Sequence, residues 1–159
     1  MPARSLTFAT ALGRMRLGWT AEGICALRFV DRPGREEAVQ APAWVMEAVR
    51  HLMAHLAGQP QNLAGIPLDL SDLTLFQQRV AKVLRSTRPG QTLTYGDVAL
   101  LVGRPGAARA VGQAVRANPI LLLVPCHRVV AADGPGGWSA FGTPERKARL
   151  LELERVTAG

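Results

Sequence analysis

Apolar and polar residues alternate through the opening segment. Leu6 and Phe8, then Met15, Leu17 and Trp19, then the run from Ile24 through Leu27 to Phe29 form three short stretches separated by glycine or polar turn residues. A two-residue period sends neighbouring side chains to opposite faces, so the pattern predicts an antiparallel three-stranded meander. Asp31 to Gln40 is polar and charged and reads as a loop. From Pro42 the period changes: Trp44, Val45, Ala48, Leu52 and Leu56 recur at three- and four-residue spacing, which predicts a helix ending at Gly58. Gln59 to Asp69, with two prolines and a glycine, reads as a linker.

Beyond the linker the period is helical. Thr74 followed by Gln77 matches a capping box opening a helix with Leu75, Phe76, Val80, Val83 and Leu84 on one stripe, and Arg88-Pro89-Gly90 stops it. A helix from Tyr95 to Val102, a turn Gly103-Arg104-Pro105-Gly106 and a helix from Ala107 to Ala117 predict a helix-turn-helix. Asn118-Pro119 ends it, and a strand-sized apolar run, Ile120 to Val124, leads to Pro125-Cys126-His127-Arg128-Val129-Val130. A glycine-rich loop, Asp133 to Gly142, precedes a last amphipathic helix from Pro144 to Arg155. The expected fold is α+β: an N-terminal lobe over residues 1–70, made of a small antiparallel sheet and a helix, and a helical C-terminal domain over 71–159 carrying the helix-turn-helix and the cysteine turn.

Composition narrows the function. With 48% hydrophobic and 19% charged residues, the 159-residue chain falls among soluble globular proteins and outside the disordered class. No apolar run approaches the roughly 18 to 20 residues that span a bilayer. Two cysteines are too few for a disulfide framework, and no leader pattern opens the chain, so a reducing, cytoplasmic setting is expected. The net charge is +7, and 17 of the 19 basic residues are arginine. A GC-rich coding sequence accounts for most of the excess of arginine over lysine. Position says more: residues 1–70 carry a net +1 and residues 71–159 a net +6, which directs attention to the second half for an anionic partner such as nucleic acid.

Cys126 is the outstanding chemical candidate. A thiol of ordinary pKa, about 8.5, is mostly protonated at neutral pH and needs a base or a positive surrounding to act as a nucleophile. His127 can supply the base. Neighbours in an extended segment point oppositely, which favours transfer through a water.

The segments Phe76-Gln77-Gln78-Arg79-Val80, Thr94-Tyr95-Gly96-Asp97-Val98-Ala99, Arg109-Ala110-Val111-Gly112, Asn118-Pro119, Pro125-Cys126-His127-Arg128-Val129 and Lys147-Ala148-Arg149-Leu150-Leu151-Glu152-Leu153-Glu154 together resemble the O6-alkylguanine-DNA alkyltransferase family. Any one of them is weak; their order and spacing from Phe76 to Glu154 are specific. The resemblance implies repair of O6-alkylguanine, with O4-alkylthymine as a further substrate. The second helix of the helix-turn-helix lies in the minor groove, the damaged base is flipped out, and its alkyl group passes irreversibly to Cys126. It assigns Arg109 to fill the vacated stack, Ala110 and Arg116 to the DNA face, and Tyr95 to donate a hydrogen bond to the flipped base. Glu154 orients His127 in a Cys-water-His-Glu relay, and Asn118 ties the recognition helix to the cysteine turn.

The active-site loop departs from the family's Tyr-Ser-Gly type. Here it reads Gly136-Gly137-Trp138-Ser139-Ala140-Phe141-Gly142, leaving Ser139 to hydrogen-bond O6 and Trp138 to wall the pocket. Some members hold zinc in the first lobe. This chain has Cys25, His51 and His55 there; the two histidines, four apart on a predicted helix, have the spacing to share a metal, but three ligands with no spacing that joins Cys25 to them are a weak signal, and the expectation is no metal and no cofactor. The expected partner is duplex DNA containing O6-alkylguanine, bound by a monomer.

Three rivals remain. A non-catalytic, alkyltransferase-like lesion binder that recruits other repair factors usually lacks the cysteine. A regulator that senses alkylation carries an appended metal-bound region for which the chain has no room. A cysteine hydrolase would need an oxyanion arrangement that the sequence does not display.

Overall fold

The computed structural model describes residues 4–32, 40–59, 61–132 and 144–158. Strands β1 (Arg4–Thr10), β2 (Gly13–Trp19) and β3 (Ile24–Phe29) form the expected antiparallel meander in the order β1-β2-β3. Leu17 of β2 lies opposite Leu6 on one side and Leu27 on the other, and Met15 lies opposite Phe8 and Phe29. One face of the sheet is therefore apolar. Helix α1 (Ala43–Leu56) contributes Val45, Ala48, Val49, Leu52 and Leu56 to the same core.

The free edge of β3 is covered by two segments that sequence reading gave other shapes. Residues 61–69, within the segment expected to be a linker, pack as part of the fold: Ile66 is buried, and Leu68 bridges Ile24 with the hydrogen bonds Ile24 N–H to Pro67 O (2.9 Å) and Asp69 N–H to Ile24 O (2.8 Å). The run Ile120 to Val124 is buried as expected but forms no strand. Only Ile120 bridges Leu27, and the chain then turns, with Leu122 in the left-handed region at φ 69°. A branched side chain adopts that conformation at a cost of about 1 kcal/mol or more, borne by the surrounding packing. Arg85 holds both covering segments, donating to Leu123 O, Ala64 O and Ile66 O at 2.7 to 3.0 Å.

Helices α2 (Leu75–Arg85), α3 (Tyr95–Leu101) and α4 (Ala108–Arg116) pack through Val80, Ala81, Leu84, Val98, Ala99, Val111 and Val115. The Thr74–Gln77 capping box opens α2, and a second one, Thr94 with Asp97, opens α3. The turn between α3 and α4 needs glycine at Gly103 (φ 79°) and Gly106 (φ 87°), a conformation that side chains rarely adopt. Strand β4 (Leu93–Thr94) pairs in parallel with β5 (Val129–Val130), which fixes the start of α3 beside the cysteine turn. Helix α5 (Pro144–Ala158) closes the fold, with Lys147, Leu150 and Glu154 turned inward. Its inward stripe thus carries two charges, unlike the apolar face expected of an amphipathic helix. Arg146 fastens α5 to the sheet, its Nε 3.1 Å from Leu12 O and its guanidinium 4.3 Å from the centre of the Phe29 ring.

Candidate active site and nucleic-acid interface

Cys126 opens a single 3-10 turn, Cys126–Arg128, directly before β5. The extended geometry expected around Cys126 and His127 is absent: Pro125 and the Cys126 N–H to Val124 O bond (2.7 Å) tighten the backbone into a turn. All three residues of the turn are buried. Asn118, just past the end of α4, braces the approach. Its Nδ2 donates to Val124 O and its Oδ1 accepts from Ile120 N–H, each at 2.9 Å, and its side chain also hydrogen-bonds Cys126.

Glu154 is the hub of the buried polar cluster. Oε1 accepts from His127 Nε2 (2.7 Å) and Arg128 Nε (2.9 Å), while Oε2 accepts from Arg128 Nη2 (2.7 Å) and His55 Nε2 (3.0 Å). Burial alone would raise the Glu154 pKa. The Arg128 hydrogen bonds, followed by those from His127 and His55, instead hold the carboxyl well below its usual range. An ionised carboxylate only accepts, so His127 carries its hydrogen on Nε2 and leaves Nδ1 with the lone pair. Burial lowers the His127 pKa despite Glu154, and the imidazole is neutral at neutral pH. The third arm of Arg128 donates to Thr87 O and Oγ1, both at 3.0 Å.

Burial pushes the Cys126 thiol up to about 11, against the lowering effects of the Asn118 hydrogen bond and of the Lys147 ammonium. Lys147 is itself brought down to about 8 by burial and donates to Val129 O at 2.9 Å. The resting group is therefore a thiol, with a neutral imidazole and a nearby ammonium available to favour the thiolate. Tyr95, at the start of α3, senses the same site: burial raises its pKa, the charge of Cys126 raises it further and Arg116 lowers it.

Helix α4 turns Val111 and Val115 into the core and leaves Arg109, Ala110, Gln113, Arg116 and Ala117 exposed. Its outer stripe thus carries the small Ala110 and the uncharged Gln113 between two arginines, with no acidic side chain to repel a polyanion. Cys126, His127, Glu154 and Asn118 converge, Tyr95 adjoins them, and Arg109, Ala110 and Arg116 share the outer face of α4. Trp138 and Ser139 lie outside the described residues. His51 hydrogen-bonds Gln61 Oε1 at 2.6 Å, His55 turns to Glu154, and Cys25 sits on β3 with its pKa raised by burial, then by Asp69 and Asp72.

His55, Arg128 and Lys147 were not assigned to the site from sequence. Arg128 and Lys147 were visible inside the quoted motifs. No local signal marks His55, which is 99 residues from its carboxylate partner.

Residues 75–156 match the family model described as 6-O-methylguanine DNA methyltransferase, DNA binding domain. A methylated-DNA–protein-cysteine methyltransferase of Mycobacterium leprae is 50% identical over 148 residues, covering 91% of this chain and 87% of the relative. The chain belongs to the methylated-DNA–protein-cysteine methyltransferase family. The crystal structure of the Mycobacterium tuberculosis O6-methylguanine methyltransferase shares the fold with a TM-score of 0.84 at 36% identity, over 99% of this chain and 96% of that one. The M. tuberculosis protein in complex with DNA gives 0.82 at 38% identity, over 96% and 93%. The likeness extends over nearly the whole chain, and the α+β architecture is the family's. Among the described residues no helix is long and apolar enough to cross a membrane.

Proposed function

We propose that this methyltransferase repairs duplex DNA by moving the alkyl group of O6-alkylguanine onto Cys126 in a single turnover. The observation that carries the assignment is the buried Cys126-His127 turn held by Glu154. His127 Nδ1 takes the thiol proton, directly or through a water, and Glu154 stabilises the resulting imidazolium. The sulfur attacks the alkyl carbon: an S–C bond forms, the C–O6 bond breaks and its electron pair stays on the base. Tyr95 donates a hydrogen bond to the departing guanine, and the proton from the thiol restores its neutral form. The thiol and the alkylated base balance the reaction between them. The product is a thioether, which has no leaving group that water displaces, so each molecule acts once.

Arg109 at the first turn of α4 fills the stack left by the flipped base, and Ala110 and Arg116 lie against the duplex. In this reading the protein acts on DNA as a monomer. A binding-only protein would have no use for a cysteine held beside a buried base and ammonium.

The test is transfer of labelled methyl from an O6-methylguanine duplex to the protein. Cys126→Ala should bind the lesion and accept nothing; label on that variant overturns the assignment. Tight binding without transfer by the wild type would favour the lesion-binding alternative.

A further inference from the structure

The outer face of the N-terminal sheet bears charge that the chemistry of Cys126 does not use. On the central strand β2, Arg14 and Arg16 alternate with the buried Met15 and Leu17 and so point away from the core. Arg16 stands directly opposite Arg28 of β3, and its other neighbour, on β1, is the uncharged Thr7. Like charges directly opposite one another weaken an antiparallel pair. Among the described residues, no carboxylate pairs with Arg14, Arg16, Arg28 or Arg116.

A groove of about 440 Å³ joins this face to the end of α4, and Arg16, Arg28 and Arg116 line it together with Asn118 and Pro119. Among the described residues no acidic side chain lines it. Arg116 lies seven residues after Arg109, two helical turns along the same exposed face. That separation is about 10 Å, or about three base steps of duplex. A strand following α4 from Arg109 therefore arrives at the groove.

We propose that the Arg16-Arg28-Arg116 groove binds phosphates of the DNA strand flanking the lesion, extending the duplex-binding surface from α4 onto the N-terminal sheet. The inference rests on the reading of α4 as the DNA-binding helix. Guanidinium forks match phosphate oxygens in geometry and charge. Continuity with the outer stripe of α4 favours nucleic acid over an acidic protein segment.

The test is a salt titration of binding to an O6-methylguanine duplex by fluorescence anisotropy, using the full chain. Each lost phosphate contact removes about 0.9 from the slope of log K against log salt. Arg16→Gln/Arg28→Gln should therefore flatten that slope by about 1.8 and weaken binding about 30-fold at about 0.15 M salt. Arg16→Lys/Arg28→Lys should keep most of the slope. Arg50→Gln/Arg149→Gln, which removes two exposed charges from α1 and α5, should leave it unchanged. Shortening the duplex on the Arg116 side should erase the difference between wild type and the glutamine pair. The thermal midpoint of that pair should equal or exceed the wild-type value, because a like-charge contact has been relieved.

An unchanged slope overturns the proposal, as does an equal loss in the Arg50/Arg149 control. A loss of self-association without a change of slope would assign the groove to a second copy and overturn it too. Methyl transfer at saturating DNA is read separately: its absence in the wild type defeats the assigned reaction and leaves the slope comparison standing.

Discussion

Replacing Glu154 by glutamine removes one charge and almost no volume, so its consequences report on electrostatics. The carboxylate is 1% exposed and accepts four hydrogen bonds from His127, His55 and both near arms of Arg128, whose guanidinium is 5% exposed. Glutamine keeps one acceptor oxygen and turns an amide donor toward groups that only donate. The Arg128 charge is then buried without its counter-ion. Breaking a buried pair from one side costs about 3 to 5 kcal/mol, a large part of the roughly 5 to 15 kcal/mol that a domain has. At about 2 to 4 °C per kcal/mol, the midpoint should fall by about 6 to 20 °C. Urea unfolding with an unchanged m-value measures the loss directly, and Glu154→Gln/Arg128→Met should recover part of it by removing the stranded cation.

The sign with pH follows from the depressed Glu154 pKa. Its ionisation contributes stability that is complete above its ordinary value of 4.5 and is lost as pH falls toward the folded-state value, so the gap between wild type and Glu154→Gln should narrow below pH 4.5. A loss under about 1 kcal/mol, the range of an exposed pair, would refute the reasoning. A gap that is flat with pH would refute it as well.

His127→Leu should slow methyl transfer by about 100-fold or more, the usual contribution of a positioned base; single-turnover rates check it, and a rate within a few-fold of wild type would remove His127 from the relay. Lys147→Met should slow transfer and move the alkaline limb: in the wild type the ammonium that favours the thiolate is lost above about pH 8, and the variant should lack that feature of its pH–rate profile. Arg109→Ala should lose far more activity on duplex than on the free alkylated base, and equal losses would deny it a place in base extrusion. His55→Leu removes one of the donors to Glu154 and should cost about 1 to 3 kcal/mol of stability, read by urea unfolding.

Period and capping made the meander, α1, the capped α2 and the helix-turn-helix legible, because each is written in adjacent residues. The closure of the fold was not. Leu68 and Ile120 cover the edge of β3 from remote parts of the chain, and an apolar run of strand length turns at Leu122 instead of continuing as a strand. The Cys126-His127 pair is local and was visible, and Glu154 was reached only through the resemblance. His55 joined the site by tertiary packing across 99 residues. The positive half of the chain also divides on inspection: Arg85, Arg128 and Lys147 hold carbonyls or Glu154, while Arg109 and Arg116 face solvent. Charge counted along a sequence does not separate those two uses.

The central claim is that Cys126 accepts one alkyl group and keeps it. Incubating the protein with an excess of O6-methylguanine duplex and weighing the digested peptides tests it most directly. The peptide containing Cys126 should gain the mass of one CH₂ unit, one gain per protein molecule, with no further turnover. An unmodified Cys126 peptide after the lesion has been repaired, or methyl on Cys25 in its place, would contradict the account.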